Sequence, residues 1–476
     1  MKLTLLHSVL LLGITASAQN FTLKPDLTVT AMQYSSIDFA DIDGDGDDDL
    51  FTCGADGGYE LTSKLYKNDG DGNFTLADDN TFIKIREGDA EFGDVNGDGF
   101  PDLIISGNVP QPMTKLYIND GAGNFSLSTS AALSQSTYGA MAFADVDNDN
   151  DNDLVITGFT SSGQRLAELY INDGTGAFTL SDSNLNGLAG FGVSNSSVAF
   201  ADVNGDDFQD LFITGSNNFN TPACALYINN GNGTFTIKST PVLPIITGTA
   251  TFGDIDNDGD PDLLMVGAGP TSSKIANVYV NDGMANFTVM PDTPFIGAQY
   301  GSSHFADVNN DGYLDILITG YRVPDPRADL YMNNGASGGF TMTAEPIFDG
   351  LTNASVAFDD VDNDGDQDLM ATGLSATAVV AQLYLNNAIL GLNSITANAV
   401  GFFPNPVEDV LRLNIPFGVS VLEADVYSLT GQLVLSKYFH ENIGDDSIDL
   451  SSLHSGIYMV SLEMPSATQK YKIIKL

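Results

Sequence analysis

Tryptophan is absent from the 476 residues, and cysteine and histidine are scarce. The two cysteines, Cys53 and Cys224, are too few for a disulfide scaffold and fall in different repeats, so we interpret both as small apolar core residues. Basic residues are also few: 17 Lys and Arg stand against 62 Asp and Glu, which gives a net charge of -45. Because nucleic-acid binding needs a basic surface and a polyanionic substrate needs cations to hold it, this composition disfavours both.

Long apolar runs are missing except at the N-terminus. Lys2 is followed by the apolar segment 3–14, which is too short to span a bilayer, and Ala16-Ser17-Ala18 fits the small-residue cleavage rule. We therefore expect residues 1–18 to be a signal peptide. We expect no transmembrane segment in the chain.

An acidic ten-residue loop recurs seven times along the chain. Phe lies two residues before each copy, Gly lies thirteen residues after its first residue, and a Leu-Tyr pair follows. After six of the copies, a Gly-rich turn leads to Phe-Thr or Phe-Ser. The copies begin at Asp41, Asp94, Asp145, Asp202, Asp254, Asp307 and Asp360. Each repeat therefore predicts four short strands, and seven repeats predict an all-β fold, a seven-bladed β-propeller over residues 19–390.

The seventh repeat is incomplete in a way that favours a closed ring. After Asn386 it lacks the Phe-Thr strand, and the N-terminal segment Phe21-Thr22-Leu23 has the missing pattern. Phe21 lies 20 residues before Asp41, as Phe74 lies 20 before Asp94. We therefore predict that the N-terminal strand completes blade 7 and closes the propeller without an open sheet edge.

The acidic loop has the donor pattern of a calcium site. Positions 1, 3, 5 and 9 are Asp or Asn in every copy, position 7 can offer its backbone carbonyl, and hard oxygen ligands in this number suit Ca²⁺. Position 6 is Gly in five copies, where we expect a positive φ. The predicted metal ligands are, loop by loop, Asp41, Asp43, Asp45, Asp47 and Asp49; Asp94, Asn96, Asp98, Phe100 and Asp102; Asp145, Asp147, Asp149, Asp151 and Asp153; Asp202, Asn204, Asp206, Phe208 and Asp210; Asp254, Asp256, Asp258, Asp260 and Asp262; Asp307, Asn309, Asp311, Tyr313 and Asp315; and Asp360, Asp362, Asp364, Asp366 and Asp368.

A merely solvated acidic turn is the alternative to a metal site. Two like charges 4 Å apart repel by roughly 4 kcal/mol at an effective dielectric constant of 20, so crowded carboxylates without a cation are unfavourable. Seven copies in fixed register favour the metal, and we predict up to seven Ca²⁺ ions, one per blade. The loop is not an EF-hand, because its twelfth position is not Glu and a strand follows it.

These loops resemble FG-GAP or VCBS-type repeats, the calcium-loop propeller repeats that are also found in integrin α-subunit heads. The resemblance implies calcium in the hairpin between the first and second strands of each blade. It also implies a relationship to adhesion domains, and some related propellers are polysaccharide lyases.

A second pattern follows a linker at residues 391–400. Segments such as Phe403-Pro404-Asn405-Pro406 and Val426-Tyr427-Ser428-Leu429-Thr430-Gly431 alternate apolar residues with turn signals, which predicts a small β-sandwich over 401–476. Their order and spacing resemble the type A C-terminal sorting domain of type IX secretion. The resemblance implies the type IX secretion machinery as a partner. It also implies a protein that is secreted or attached to the outer surface of a Gram-negative bacterium.

No catalytic residue stands out, so we expect a binding protein rather than an enzyme. The propeller has one histidine, His304, which we interpret as structural. The predicted function is a binding or adhesion module for glycan or extracellular protein ligands; the alternatives are a carbohydrate-active enzyme such as a polysaccharide lyase, and a structural matrix protein. We expect the ligand at the ends of the first strands opposite the acidic loops, where the candidates are Tyr34, Glu87, Tyr138, Asn195, Thr247, Tyr300 and Asn353, with Arg322 and Arg327 nearby.

Overall fold

The computed structural model describes residues 21–77, 81–181, 185, 192–240, 242, 244–335, 338–343 and 347–387, and then 401–403, 407, 410–414, 423–428, 433–438, 447–451, 453–454, 456–464 and 467–475. The chain divides after residue 390 into two compact units. The predicted signal peptide and the predicted linker lie outside the described residues.

Seven four-stranded antiparallel sheets make up the first unit, as expected for an all-β chain of short apolar runs between Gly, Asn and Asp turns. Sheet 1 comprises β2 (Gln33–Ala40), β3 (Asp49–Ala55), β4 (Leu61–Lys67) and β5 (Thr75–Leu76). Sheet 2 comprises β6 (Arg86–Gly93), β7 (Asp102–Val109), β8 (Gln111–Asn119) and β9 (Phe125–Leu127). Sheet 3 comprises β10 (Met141–Ala144), β11 (Asp153–Phe159), β12 (Arg165–Asn172) and β13 (Phe178–Leu180).

The next sheets repeat this order along the chain. Sheet 4 comprises β14 (Ser194–Ala201), β15 (Asp210–Ser216), β16 (Pro222–Asn229) and β17 (Phe235–Lys238). Sheet 5 comprises β18 (Ile246–Gly253), β19 (Asp262–Ala268), β20 (Lys274–Asn281) and β21 (Phe287–Val289), with a short 3₁₀ helix at Pro270–Ser272. Sheet 6 comprises β22 (Ser303–Ala306), β23 (Asp315–Arg322), β24 (Asp325–Asn333) and β25 (Phe340–Met342).

Sheet 7 takes its fourth strand from the N-terminus. It comprises β26 (Thr352–Asp359), β27 (Asp368–Leu374), β28 (Val379–Asn386) and β1 (Phe21–Leu23). In the antiparallel register, Phe21 pairs with Asn386 and Leu23 with Tyr384. The Phe21 ring also packs edge to face on Phe348, with 4.8 Å between ring centroids. The segment therefore fills the position that the seventh repeat leaves empty.

The core of the first unit lies between neighbouring sheets. The second strand of each sheet is the most buried, since both of its faces are covered; every residue of β3 is buried. Leu50 of sheet 1 packs in one apolar cluster with Met370 and Leu383 of sheet 7, as Phe212 of sheet 4 packs with Leu263 of sheet 5. The first and last sheets thus share a core of the same kind as two sheets that are consecutive in the chain.

Two further sheets form the second unit. One comprises β29 (Gly401–Phe403), β30 (Val410–Asn414) and β33 (Ser447–Asp449); the other comprises β32 (Leu433–Tyr438), β31 (Glu423–Ser428), β34 (Gly456–Met464) and β35 (Ala467–Lys475). Leu411 and Leu413 of the first sheet share a buried cluster with Val426 and Val460 of the second. In the part of the chain that the structure describes, no helix is both long and apolar enough to cross a membrane.

Candidate functional site

The acidic loops join the first strand of each sheet to the second and are shaped by their own first carboxylate. In the loop that begins at Asp41, the N–H groups of Gly44 and Gly46 donate to the two oxygens of that carboxylate at 2.8 and 3.0 Å. Position 6 has a positive φ in every loop, including 70° at Asn150 and 69° at Asp207, so this prediction is confirmed. The turn therefore directs the acidic side chains of the loop towards one common side.

Four of the seven loops bring three carboxylates close enough to share one ion, with the ligand oxygens within 4.8 Å of one another. The groups are Asp41, Asp43 and Asp45; Asp145, Asp147 and Asp153; Asp254, Asp256 and Asp262; and Asp360, Asp362 and Asp368. The other three loops have Asn96, Asn204 or Asn309 at position 3, which supplies an amide oxygen in place of a carboxylate. The acidic clusters could thus hold a metal ion.

Several oxygens in these clusters have no hydrogen-bond donor. Within the described part of the chain, Oδ1 of Asp43, Asp147 and Asp362 is buried and has no hydrogen-bond partner. A buried carboxylate oxygen without a donor is costly, and a bound cation would satisfy it. The donor set of carboxylate and amide oxygens fits a hard divalent cation. In the first loop, the Lys67 ammonium lies 2.6 Å from Asp43 Oδ2 and already neutralises part of the charge.

Position 9 anchors each loop to the third strand. Asp49 Oδ1 accepts the N–H of Asn68 at 2.8 Å, and Asp102 accepts the N–H of Asn119 at 2.8 Å. Burial, opposed in part by these hydrogen bonds, raises the pKa of Asp49 to about 7 and of Asp102 to about 6. The same cause raises the pKa of Asp153, Asp210, Asp262, Asp315 and Asp368. Without a nearby cation, burial makes the ionised form of these carboxyl groups unfavourable.

The side chains at position 7 pack against a different turn. A Cβ on Gly121 would lie 2.6 Å from the Phe100 ring, and one on Gly70 would lie 2.7 Å from Asp47 Oδ2, so each of these side chains covers a glycine of the following strand turn. Asp47 also accepts a hydrogen bond from the Asn363 amide at 2.8 Å. This placement leaves the backbone carbonyl as the group that position 7 can offer a metal. The role of the individual residues as ligands stays a prediction.

The loops are also tied to the neighbouring sheet. The side-chain amide of Asn119 donates to the backbone carbonyl of Ile42, at position 2 of the preceding loop, at 2.8 Å. The same bond recurs at 2.8–3.0 Å from Asn172 to Val95, Asn229 to Val146, Asn281 to Val203, Asn333 to Ile255 and Asn386 to Val308. Position 2 lies between two predicted metal ligands, so the shape of each loop is coupled to the contact between sheets.

At the opposite ends of the first strands, the seven residues expected to face a ligand form one ring. We call Tyr34, Glu87, Tyr138, Asn195, Thr247, Tyr300 and Asn353 the mouth ring. All seven have a left-handed φ between 46° and 57°, which is rare outside glycine. Their backbones bond to each other across sheets: the Tyr138 N–H donates to the Glu87 carbonyl at 2.7 Å, and the Tyr300 N–H donates to the Thr247 carbonyl at 2.8 Å.

A local irregularity of the strand produces this conformation. The register between first and second strands shifts near the mouth, for example between Arg86 and Asp89, which marks a β-bulge. The residue after Glu87 must be small there, since a Cβ on Gly88 would lie 1.8 Å from the carbonyl oxygen of Ser106. The bulge turns the mouth-ring residues away from the regular pleat.

The mouth ring lines a cavity of about 680 Å³. Ser35, Ser196, Gln299, Tyr321 and Thr352 are the further polar residues of its lining, and none of the described residues that line it is Lys, Arg or His. Tyr138 and Tyr300 are 39% and 48% exposed, respectively. Burial, together with a hydrogen bond to Glu87, raises the pKa of Tyr138 to about 12. The cavity therefore presents neutral aromatic and amide groups around one carboxylate.

Arg322 and Arg327 lie outside this lining, beside it. Both bond to the buried carboxylate of Asp329, Arg322 Nη1 at 3.1 Å and Arg327 Nη2 at 3.2 Å. Tyr321, the residue before Arg322, does line the cavity. The structure thus brings the seven mouth-ring residues together and puts the two arginines at the rim.

A second cavity of about 500 Å³, which we call the lower cavity, adjoins the mouth and shares Ser35, Gly88, Gly139, Ser196, Gly248 and Ala354 with it. It is lined by Asp38, Asp89, Glu91 and His304 among others. Burial raises the pKa of Asp38 to about 7 and lowers that of His304 to about 4, while burial and the charges of Asp89 and Asp38 raise that of Glu91.

Sequence reasoning missed this carboxylate group, although a signal was present. Asp38, Glu91 and His304 each lie three residues before an acidic loop, where the other repeats have Ala or Thr. His304 Nε2 lies 2.8 Å from Ser302 Oγ. A position that is small in four repeats and ionisable in three marks a place where the repeats differ within the lower cavity.

Comparison with family models gives two matches. Residues 41–105, 94–156, 145–213, 202–265, 254–318 and 307–371 match the model described as FG-GAP-like repeat. Residues 401–476 match the model described as secretion system C-terminal sorting domain.

The chain is also similar to several known proteins. It is 29% identical over 144 residues to the T-cell immunomodulatory protein of Homo sapiens, which covers 26% of this chain and 24% of that protein. The chain therefore spans about a quarter of the length of this curated relative. Among solved structures, the BP39L lectin of Burkholderia pseudomallei has a TM-score of 0.48 at 11% identity, with 76% of this chain and 97% of the lectin covered. An exotype rhamnogalacturonan lyase has a TM-score of 0.37 at 13% identity, with 91% of this chain and 81% of the lyase covered.

Proposed function

We propose that this chain, which belongs to the FG-GAP-like repeat family and ends in a secretion system C-terminal sorting domain, is an exported calcium-binding propeller that binds glycan or protein ligands at its mouth. The observation that carries the proposal is the mouth ring: seven residues, one from each repeat and all in the left-handed conformation, surround one cavity. Seven repeats hold this arrangement, so the binding role belongs to the assembled ring rather than to one loop.

The proposed scaffold is a closed ring of seven blades. Three relationships support it: the N-terminal strand completes sheet 7, sheets 7 and 1 share an apolar cluster, and all seven first strands reach one cavity. A ring of this kind has no exposed sheet edge between its first and last blades. For the second unit we propose a β-sandwich, since its two sheets share one buried cluster.

Calcium would hold the scaffold rather than act at the mouth. The acidic loops lie at the ends of the first strands opposite to the mouth ring, and their carboxylate groups fit a hard cation. We propose Ca²⁺ in up to seven loops. The residues that would hold it are those at positions 1, 3, 5 and 9, with the carbonyl of position 7. The cation would neutralise carboxylates that otherwise repel each other.

Ligand binding is tested by comparing variants of the intact chain. Tyr300→Ala and Tyr138→Ala remove aromatic surface from the mouth, and we expect each to reduce binding to a glycan array or to immobilised extracellular matrix proteins by at least tenfold. Tyr59→Ala is the matched control, because Tyr59 is 62% exposed and lies on a strand hairpin, outside the cavity lining. Equal loss in all three variants would contradict binding at the mouth.

A carbohydrate-active enzyme is the second candidate, favoured by the carboxyl groups of the lower cavity. Burial raises the pKa of the Asp38 carboxyl group to about 7, so this group can donate or accept a proton at neutral pH. Asp38 and Glu91 both line the lower cavity. The test is to incubate the chain with the polysaccharides that it binds. Unsaturated or reducing products that disappear in Glu91→Gln would establish this candidate, and binding without products would favour the first.

Export follows from the C-terminal sorting domain. We propose that the type IX secretion machinery recognises residues 401–476 and that the propeller is secreted or held at the outer surface of a Gram-negative bacterium, where it acts in adhesion. A strain that expresses the chain without residues 401–476 should retain the propeller inside the outer membrane. Surface labelling that is unchanged by this truncation would contradict the proposal.

A further inference from the structure

The mouth has a cationic rim on one side, formed by Lys274 of sheet 5 and by Arg322 and Arg327 of sheet 6. The Lys274 ammonium bonds to the Tyr321 carbonyl at 2.8 Å and lies 4.7 Å from the centre of the Tyr321 ring. Tyr321 in turn lines the mouth cavity. Lys274 therefore contacts a residue of the cavity wall, and Arg322 follows that residue in the chain. Arg327 shares the Asp329 carboxylate with Arg322, on a chain whose net charge is -45.

The carboxylate of Asp329 neutralises only part of this charge. Asp329 is 7% exposed and accepts from both guanidinium groups, Arg322 at 3.1 Å and Arg327 at 3.2 and 3.3 Å. Asp325, which is exposed at the hairpin of the same sheet, is in none of the ion pairs among the described residues. Against three cations, these two carboxylates leave an excess of positive charge.

The rim also has hydrogen-bond donors to spare. Arg322 Nε and Nη2 have no hydrogen-bond partner among the described residues, and its side chain is 27% exposed. Lys274 makes one hydrogen bond within the described part, although an ammonium has three donors. Asp329 thus positions the two arginines and Tyr321 positions Lys274, while the remaining N–H groups of Arg322 and Lys274 can donate to an acceptor on a ligand. A planar guanidinium beside an ammonium suits an oxyanion.

We propose that the ligand of the mouth is an acidic saccharide, whose carboxylate or sulfate group binds to Arg322 and Lys274 while a sugar ring packs on Tyr321. The proposal rests on the proposed function, since it assigns the chemistry of a ligand bound at the mouth. It concerns one anionic group on the ligand and not a polyanion, because the mouth ring itself contains Glu87 and no cation lines the cavity.

The test uses the full chain with calcium and a glycan array of matched pairs that carry a single anionic group: neutral oligosaccharides with one terminal galacturonate beside the same oligosaccharides with that carboxyl group methyl-esterified, and galactose oligosaccharides with one sulfate ester beside their desulfated forms. We expect the anionic member of a pair to bind at least tenfold more tightly. Lys274→Gln and Arg322→Gln should each remove about tenfold of this preference and leave the neutral member unchanged. Lys238→Gln is the control, because Lys238 bonds to the Met284 carbonyl in a turn at the opposite end of the strands.

The outcomes separate the two proposals. Preference for the carboxylated pair identifies the oxyanion as a uronate, and preference for the sulfated pair identifies it as a sulfate ester; each supports the inference when Lys274→Gln abolishes the preference. If neutral and anionic members bind equally and both variants leave binding unchanged, the acidic-saccharide inference is overturned while binding at the mouth stands. If no glycan binds, both the inference and the glycan form of the proposed function fail.

Discussion

The side-chain amide of Asn68 donates a hydrogen bond to the backbone carbonyl of Val361 over 2.9 Å, and this bond joins sheet 1 to sheet 7. The two residues are 293 positions apart in the chain. The same atoms of the repeat make the same bond between sheets that follow each other, as from Asn172 to Val95 at 2.8 Å. The first and last sheets therefore meet in the way that consecutive sheets do.

This equivalence predicts the effect of removing the amide. Asn68→Ala leaves the buried Val361 carbonyl without a donor and should reduce the free energy of unfolding by about 1–3 kcal/mol. Asn172→Ala is the matched control, because Asn172 makes the same contacts between sheets 3 and 2. Chemical denaturation with calcium present should give equal losses for the two variants. A loss in Asn172→Ala alone would show that sheets 1 and 7 are not joined in solution.

Calcium removal should destabilise the chain, and each acidic loop should bind one calcium ion. Asp256→Ala removes one carboxylate from the group with Asp254 and Asp262, and we expect one calcium fewer per chain by elemental analysis and a lower melting temperature. Asp282→Ala is the control: this exposed carboxylate in the next turn of sheet 5 accepts from Met284 and Asn286. An EDTA-treated wild-type chain that melts at an unchanged temperature would refute the calcium site.

The position-9 carboxyl groups make the stability of the metal-free chain depend on pH. The pKa of Asp49 in the folded state, about 7, lies above its ordinary value of 3.8, and that of Asp102 is about 6. At these groups the folded chain therefore binds more protons than the unfolded chain. Their contribution to stability is fully present below about pH 4 and is lost as the pH rises through about 6 to 7. The pKa of His304 is lowered to about 4, so its contribution to stability increases as the pH rises. This is one group, whereas seven position-9 carboxyl groups have the opposite effect.

Thermal melts in EDTA should accordingly show a higher melting temperature at pH 5 than at pH 8. With excess calcium the order should reverse, because the cation stabilises the ionised carboxylates and competes with protons. A metal-free chain that becomes more stable between pH 5 and pH 8 would contradict the burial of these carboxyl groups.

The repeats could be predicted from the sequence because each element is local to about 50 residues. The four strands, the acidic loop and its turn at position 6 follow from spacing and residue type. The contacts between sheets could not be derived in this way. The Leu-Tyr-x-Asn segment repeats visibly, yet the role of Asn68 depends on how sheet 1 lies against Val361. The left-handed conformation at Thr247 likewise depends on a bulge and on a bond from Tyr300 in the next sheet.

The N-terminal strand should act as a structural part of sheet 7. Phe21→Ala removes the edge-to-face contact with Phe348 and should cost about 1–3 kcal/mol, since it deletes a partly buried ring and its aromatic pair. Leu23→Ala, in the same strand but 48% exposed, is the control and should cost less than about 0.5 kcal/mol. Denaturant unfolding of the two variants measures the difference. Equal small effects would mean that the N-terminal strand does not close the sheet.

The left-handed backbone conformation of Thr247, a residue of the mouth ring, should lower the stability of the folded chain. It is the β-branched member of the mouth ring, with φ at 53°, and its Oγ1 is buried without a hydrogen-bond partner among the described residues. Thr247→Gly should relieve a backbone strain of about 1–3 kcal/mol. The same substitution raises the conformational entropy of the unfolded chain, which should lower the free energy of unfolding by about 0.4–1 kcal/mol. We therefore expect the melting temperature to rise.

Asn195→Gly is the control. Because Asn tolerates the left-handed region, this substitution relieves little strain, and the higher entropy of the unfolded chain is the larger effect. We expect that variant to melt at the same or a lower temperature. If the unpaired hydroxyl of Thr247 serves the ligand, Thr247→Gly should also bind more weakly than wild type while it melts higher. A variant that loses stability would show that the threonine is not strained, and one that gains stability with unchanged binding would separate the strain from the function of the mouth.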